Sequence, residues 1–132
     1  MKKFRLTLIL VLGWLCVLAL PALAQKQDFV LINMTGYTVN AVKLSHISWS
    51  DWSKDVLGRG GLRHAEYTTI RFPDVGGQYW DIRVELDNGS AYELRQVDLY
   101  TTIGIALKYR SGRLYYDIIT QEDLRRYRES QE

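Results

Sequence analysis

The stretch Tyr79–Leu86, with the sequence Tyr-Trp-Asp-Ile-Arg-Val-Glu-Leu, is followed at once by Asp87-Asn88-Gly89. Apolar and charged residues alternate through it, and a period of two places them on opposite faces of a β-strand. The predicted inward face carries Trp80, Ile82, Val84 and Leu86, and the outward face carries Asp81, Arg83 and Glu85. Because Asn-Gly accepts the positive φ angles of a tight hairpin turn, the chain is predicted to return as a second strand over 90–97.

Alternation of the same kind recurs on both sides of this hairpin, with turn residues between the segments. The remaining predicted strands cover 28–32, 37–44, 64–72, 103–109 and 114–119. About seven short strands predict an antiparallel β-sandwich, with a small barrel as the alternative. The apolar pattern shifts at Val42, which predicts a β-bulge in the second of these strands.

The C-terminal residues predict the one helix, over 120–128. Thr120 can cap it, and Asp123 stands at the position of a capping-box acid. Leu124 and Tyr127 form a short apolar stripe that can lie on a sheet. The predicted fold class is therefore all-β with one short C-terminal helix.

The N-terminal residues have the three parts of a secretory signal peptide. Basic residues are followed by an uncharged apolar run over 6–20 and then by Pro21-Ala22-Leu23-Ala24. The apolar run is shorter than the ~20 residues of a membrane-spanning helix, the alternative interpretation. We expect cleavage after Ala24, a periplasmic or secreted protein, and a single domain over 25–132.

The predicted cleavage also changes the charge and the cysteine content. The signal holds three of the 17 basic residues and no acidic ones, so the mature chain has 14 basic and 15 acidic residues and a net charge of −1. This charge does not indicate a nucleic-acid partner. Cys16 is the one cysteine, and its removal leaves a domain without disulfides.

The long loop over 45–61 contains the first candidate binding residues, Trp49, Asp51, Trp52 and Asp55. Exposed indoles stack on sugars or anchor a protein partner, and the two carboxylates can add a hydrogen bond or a weak cation site. In the alternative interpretation the tryptophans cover one end of the sandwich, and an aspartate caps a helical turn over 51–57. Of the two tryptophans, Trp52 is expected to be the core residue, packed on Leu57, and Trp49 the exposed one.

Tyr115 and Tyr116 in the last hairpin are the second candidate binding residues. Alternation in a strand sends only one of two neighbours inward, so one tyrosine is expected to lie in an exposed aromatic patch. Such a patch at a sheet edge could support self-association. The charged residues of the neighbouring strands, which are Asp81, Arg83, Glu85, Glu93 and Arg95, are expected to form cross-strand ion pairs in solvent.

Motifs for catalysis or metal binding are weak or missing in the sequence. His46 and His64 flank the long loop without a third ligand at a diagnostic spacing, so we expect solvated or locally hydrogen-bonded histidines. There is no Asp-x-Asp-x-Asp-Gly calcium loop, and no Gly-x-Ser-x-Gly nucleophile motif. Ser45-His46 is a dipeptide whose side chains point to opposite faces of a strand. The sequence predicts no bound cofactor or metal and no enzyme, with a small hydrolase as the alternative to the last.

Three motifs carry a resemblance to a known family. They are Asn33-x-Thr35-Gly36-Tyr37, then 51–58 with the pattern Asp-Trp-x-x-Asp-x-Leu-Gly, and Trp80-Asp81-Ile82, with Asp98-Leu99 following. In these the chain resembles small exported bacterial proteins of unknown function, over about 29–108. The resemblance implies a single β-sandwich domain. Tyr79 and Tyr100 stand where such proteins often have cysteines, and 115–132 departs from the pattern.

Some members of that family carry the label argininosuccinate lyase, which this sequence does not support. Those lyases are large helical enzymes with a Gly-Ser-Ser-rich loop. The predicted function is instead a non-catalytic exported binding module that recognises a protein or a cell-envelope component. The alternative is a carbohydrate- or cation-binding accessory domain that uses the loop from Trp49 to Asp55.

Overall fold

The computed structural model describes residues 4–5, 28–47, 50–72 and 77–132. The predicted cleavage site and Trp49 lie outside these residues. The strands are β1 (Phe4–Arg5), β2 (Phe29–Met34), β3 (Val39–His46), β4 (Glu66–Ile70), β5 (Tyr79–Leu86), β6 (Ala91–Asp98), β7 (Thr102–Arg110) and β8 (Arg113–Thr120). One helix follows them, α1 (Gln121–Ser130).

The strands form two sheets, which confirms the prediction of a β-sandwich. The larger sheet has the order β1-β4-β2-β7-β8 and the smaller one has the order β3-β5-β6. Neither sheet closes into a barrel within the described residues. The expectation of a wholly antiparallel fold was wrong in one place, because β2 and β7 run parallel from the pair Val30–Gly104 to the pair Met34–Lys108. These strands lie far apart in sequence, so no hairpin constrains their direction.

The main core lies between the two sheets. The four residues predicted to face inward from β5 are all buried there, which confirms the alternation read from that strand. Trp80 is fully buried and meets the ring of Phe72 edge to face, with 4.4 Å between the ring centroids. Burial of one large apolar side chain stabilises a fold by about 1.5–3 kcal/mol, so this strand contributes much of the stability.

Helix α1 covers the outer face of the larger sheet. Its apolar residue Leu124 is buried in a second cluster with Val30, Ile32, Ile103 and Ala106. The predicted capping box is confirmed: the N–H of Asp123 donates to the Thr120 hydroxyl, and the Asp123 carboxylate accepts from the N–H of Thr120. The described part of the chain contains no helix long and apolar enough to cross a membrane.

Asn33, at the end of β2, ties three segments of the chain together. Its side chain is fully buried. The amide donates to the carbonyls of Tyr37 and Leu62, at 2.7 and 2.8 Å, and its oxygen accepts from the N–H and the hydroxyl of Thr35. Gly36 has φ of 85°, which favours glycine, and donates its N–H to His64. The Asn-x-Thr-Gly-Tyr motif is therefore a structural joint.

Asp81 has a comparable role in the smaller sheet. The pairing of β5 with β6 shifts between Trp80 and Ile82, and Gln96 opposite this shift has φ of 53°. The Asp81 carboxylate accepts a hydrogen bond from the N–H of Gln96 at 2.9 Å. The β-bulge predicted at Val42 is found close to that residue, because the pairing of β3 with β5 shifts between Val39 and Ala41.

Candidate functional site

The long loop runs along the outer edge of β3. The N–H of Ser53 donates to the carbonyl of Leu44, and the N–H of Leu44 donates to the Ser53 hydroxyl, both at 2.8 Å. Further along, the N–H of Val56 donates to the carbonyl of Val42 at 2.8 Å. The helical turn considered for 51–57 is absent from this described segment, because its polar groups bond to the strand edge instead.

Asp55 completes this contact with its side chain. One carboxylate oxygen accepts from the N–H of Val42 and from the N–H of Leu57, each at 2.9 Å. It thereby takes the place that a strand carbonyl would occupy beside β3. Leu57 is fully buried in the core, so Asp55 both closes the edge and orients the residue that anchors the loop.

The three described candidate binding residues of this loop all have side chains in contact with solvent, and Asp55 is exposed despite its hydrogen bonds. Asp51 is exposed, and Trp52 is half-buried and lies outside the main core cluster. Trp52 is half-buried where a core residue was expected, while Leu57 is fully buried and Val56 packs against the core beside it. Trp49 lies outside the described residues, so its binding role stays a prediction.

Both histidines have local partners, as expected. His64 accepts the N–H of Gly36 on its Nδ1 atom at 2.9 Å. His46 lies edge to face against Trp80, with 5.0 Å between the ring centroids. Within the residues that the structure describes, no three histidine, cysteine or acidic side chains are grouped closely enough to hold a metal ion.

Strand β8 exposes both tyrosines of the last hairpin. Tyr115 is 50% exposed and Tyr116 is 41% exposed. The expectation that one of them turns into the core was wrong. Tyr116 does share a face with Leu114 and Ile118, which pack against the core. The three-stranded sheet is, however, too narrow to cover the far edge of the larger sheet.

The four sheet edges differ in what borders them. The edge of β3 is closed by the loop through Ser53 and Val56, and the edge of β6 is broken by the bulge at Gln96. The outer edge of β4 pairs with β1. Strand β8 bonds only to β7 among the described segments, which leaves its outer edge open along eight residues.

A groove of about 780 Å³ lies beside α1, and a second one of about 570 Å³ lies beside this open edge. The second groove is lined by Met34, Lys108, Tyr109, Arg110 and Tyr115. Tyr109 also meets Tyr37 edge to face, at 5.1 Å between centroids, and a hydrogen bond with Tyr92 together with burial raises the pKa of Tyr109. Aromatic and basic side chains thus surround the end of the last hairpin.

The outer face of the smaller sheet carries the predicted ion pairs. Lys43 bonds Glu85 at 3.1 Å, Arg83 lies between Glu85 and Glu93, and Arg95 bonds Asp81 and Glu93. The hydrogen bond from Lys43 and the neighbouring Arg83 lower the pKa of Glu85. Opposite charges are matched across this face, so it presents no strong field to a charged partner.

Comparisons with known proteins add no assignment to these observations. The chain matches no protein-family model, no curated protein and no solved structure. The resemblance to exported β-sandwich proteins therefore stays a prediction. The acid at position 55 of its loop motif, the asparagine of its first motif and the aspartate at position 81 each have a structural role in this fold.

Proposed function

We propose that this protein is an exported, non-catalytic binding module that engages a protein through the open edge of β8. The observation that carries the proposal is the combination of two exposed tyrosines with a strand edge that pairs with none of the described segments. An open edge offers a row of main-chain donors and acceptors to an added strand. Export follows from the predicted signal peptide.

The turn before β8 determines which main-chain groups point to the open edge. Ser111 and Gly112 have φ of 52° and 79°, as in a type I′ turn, so Arg110 and Arg113 form the hydrogen-bonded pair that closes the hairpin. Hydrogen-bonded pairs alternate along an antiparallel ladder. The N–H and C=O groups that point outward are therefore those of Leu114, Tyr116 and Ile118.

The side chains around this edge suit a protein surface. Tyrosine and arginine are enriched among residues that contribute most to binding energy. Tyr115 and Tyr116 are exposed, and Arg110 and Arg113 form no ion pair within the described part of the chain. Lys108 bonds Asp117 across the hairpin at 2.6 Å, which leaves a surface with an excess of positive charge.

The edge of β4 is a weaker candidate for the same role. Removal of the proposed signal peptide would take away β1 and open that edge as well. β4 has five residues, however, where β8 has eight, and it carries no tyrosine that is as exposed as Tyr115. Length and aromatic surface both favour β8.

The proposal is tested by comparing two sets of variants in a pull-down from cell-envelope extract. Y115S/Y116S removes the aromatic surface of the edge, and W49A/W52A removes the indoles of the loop. We expect the proteins retained by the wild type to be lost with Y115S/Y116S and kept with W49A/W52A. Retention of the same proteins by Y115S/Y116S would contradict the proposal, as would a wild type that retains neither envelope proteins nor untagged copies of this chain.

A carbohydrate- or cation-binding domain remains the second candidate because Asp51 and Trp52 are accessible. This second candidate is weakened because one oxygen of the Asp55 carboxylate already accepts two main-chain N–H groups. A bound ligand raises the melting temperature by mass action. A shift with calcium or with envelope glycans that W52A abolishes would support this candidate over the first, and an unchanged melting temperature would remove it.

A further inference from the structure

We propose that the strand added to β8 is β8 of a second copy of this chain, in one antiparallel register centred on Tyr115. This inference rests on the proposed function and names the partner of the same edge. Two copies of one strand that are related by a two-fold axis perpendicular to the sheet pair antiparallel, and each register is then defined by the residue on the axis. The side chains of β8 then select among them.

The first restriction comes from the two faces of the sheet. Residues directly opposite each other in a sheet point to the same face. In β8 the residues Leu114, Tyr116 and Ile118 share the core side, so they must oppose residues of the core side in the second copy. Every register centred on a residue satisfies this condition, including those centred on Tyr115, Tyr116 and Asp117, whereas registers centred between two residues do not.

The second restriction comes from charge. A register centred on Asp117 would bring two carboxylates into direct opposition, which is unfavourable. One centred on Tyr116 would place Asp117 opposite Tyr115 and Arg113 opposite Ile119, without a charge partner. The register centred on Tyr115 places Arg113 opposite Asp117 of the second copy, and by symmetry it forms this ion pair twice.

Main-chain geometry agrees with the same register. It sets Leu114 opposite Tyr116 of the second copy, and these are residues whose N–H and C=O groups point to the open edge. They therefore form hydrogen-bonded pairs on both sides of the axis. The two Tyr115 residues meet on the axis as a non-hydrogen-bonded pair, where side chains are closest.

The resulting dimer has one continuous sheet that runs through both copies. Its strand order in each half ends β2-β7-β8, and β8 meets β8 at the centre. Tyr115 borders the groove that Lys108 and Arg110 also line, so the two grooves lie on either side of the axis. The edge that is open in one copy is closed in the pair.

Charge reversal tests the register directly, with sedimentation of the purified protein as the readout. R113D puts acids on both sides of each proposed ion pair, and D117R puts bases there. Each single variant is expected to weaken dimerisation by about tenfold or more. A mixture of the two variants restores opposite charges in both pairs and is expected to form heterodimers. R71D is the control, because Arg71 is an exposed residue just after β4, and it is expected to leave dimerisation unchanged.

Cross-linking reads the register itself. In a C16S background, Y115C is expected to form an intermolecular disulfide on mild oxidation, because paired Cα atoms at the axis lie within the reach of a disulfide. Y116C and D117C are not expected to form one, because in this register neither residue lies opposite its own copy. A disulfide with either of those variants, or a mixture that stays monomeric, would overturn the proposed register.

The outcomes also separate this inference from the proposed function. A wild-type protein that remains monomeric, while Y115S/Y116S loses retained envelope proteins, would overturn the second copy as partner and leave β8 as the binding edge. A dimer that R113D and D117R do not weaken would overturn both the register and the role of β8 in assembly.

Discussion

The carboxylate of Asp55 accepts the N–H of Val42 at 2.9 Å, across the gap between a loop and the edge of β3. Together with the main-chain bond between Val56 and Val42, this contact turns an irregular segment into a cover for the strand. One oxygen of an acid that the sequence offers as a ligand is thus bound by the main chain of the fold. The smaller sheet has one edge closed in this way, and the larger sheet keeps its open edge at β8.

Replacing Asp55 by alanine should lower the stability of the fold. The N–H groups of Val42 and Leu57 would lose their acceptor, and a lost bond of this kind costs about 1–3 kcal/mol. Urea unfolding followed by circular dichroism measures the change. The matched control is D51A, which removes an exposed acid from the same loop and should change stability by less than about 0.5 kcal/mol. Equal effects of the two substitutions would contradict the structural role.

Replacing Asn33 by alanine should lower the stability of the fold more than replacing Asp55. N33A removes four hydrogen bonds at a fully buried position, and we expect a loss of about 2–4 kcal/mol. N33D is a second test, because it keeps the acceptor for Thr35 and loses the amide that donates to Tyr37 and Leu62. N40A, at an exposed position of β3, is the control. A stable N33A variant would show that the joint is dispensable.

The lowered pKa of Glu85 predicts a pH dependence of stability. The folded state holds the carboxylate charged to lower pH than its ordinary value of 4.5, so its contribution is present above that value and is lost as the pH falls through the folded pKa. The wild type should therefore exceed E85Q in unfolding free energy near neutral pH, and the difference should shrink below pH 4.5. The Glu85 side chain is partly exposed, so the effect should be small and should weaken with salt. A difference that does not vary with pH would contradict this account.

The exposed tyrosines of β8 should be separable from the core. Y115S/Y116S removes side chains that are about half exposed, so it should lose much less stability than a core substitution while losing its binding. W80A empties a fully buried site and should cost about 3–5 kcal/mol. Thermal unfolding of both variants measures the contrast. A large loss of stability in Y115S/Y116S would show that these tyrosines contribute to the core.

The sequence predicts the elements of this fold well because each depends on local chemistry. The alternation in β5 predicts its buried residues, and Thr120 with Asp123 predicts the start of α1. The parallel pairing of β2 with β7 and the position of β8 at an edge depend on contacts between distant segments, which local periodicity does not encode. The exposure of Tyr116 follows from that edge position, so the sequence could not predict it.

In the candidate site, too, the sequence predicts the residue types but not the contacts that distant segments make. Asp55 carries the same carboxylate whether it binds a cation or the N–H of Val42, and only the path of the loop along β3 decides between them. The open edge consists of main-chain N–H and C=O groups. These groups are common to nearly all residue types, so the residue pattern does not indicate them. The exposed tyrosines on the last hairpin were the one signal in the sequence that pointed towards it.

Amide hydrogen exchange along β8 tests the central claim most directly. The N–H groups of Leu114, Tyr116 and Ile118 point to the open edge, while those of Tyr115 and Asp117 bond to β7 and serve as internal controls. As the protein concentration rises, exchange at Leu114 and Tyr116 should slow and exchange at Tyr115 should not change. Exchange at Leu114 and Tyr116 that stays fast at every concentration, and in the presence of retained envelope proteins, would contradict binding at this edge.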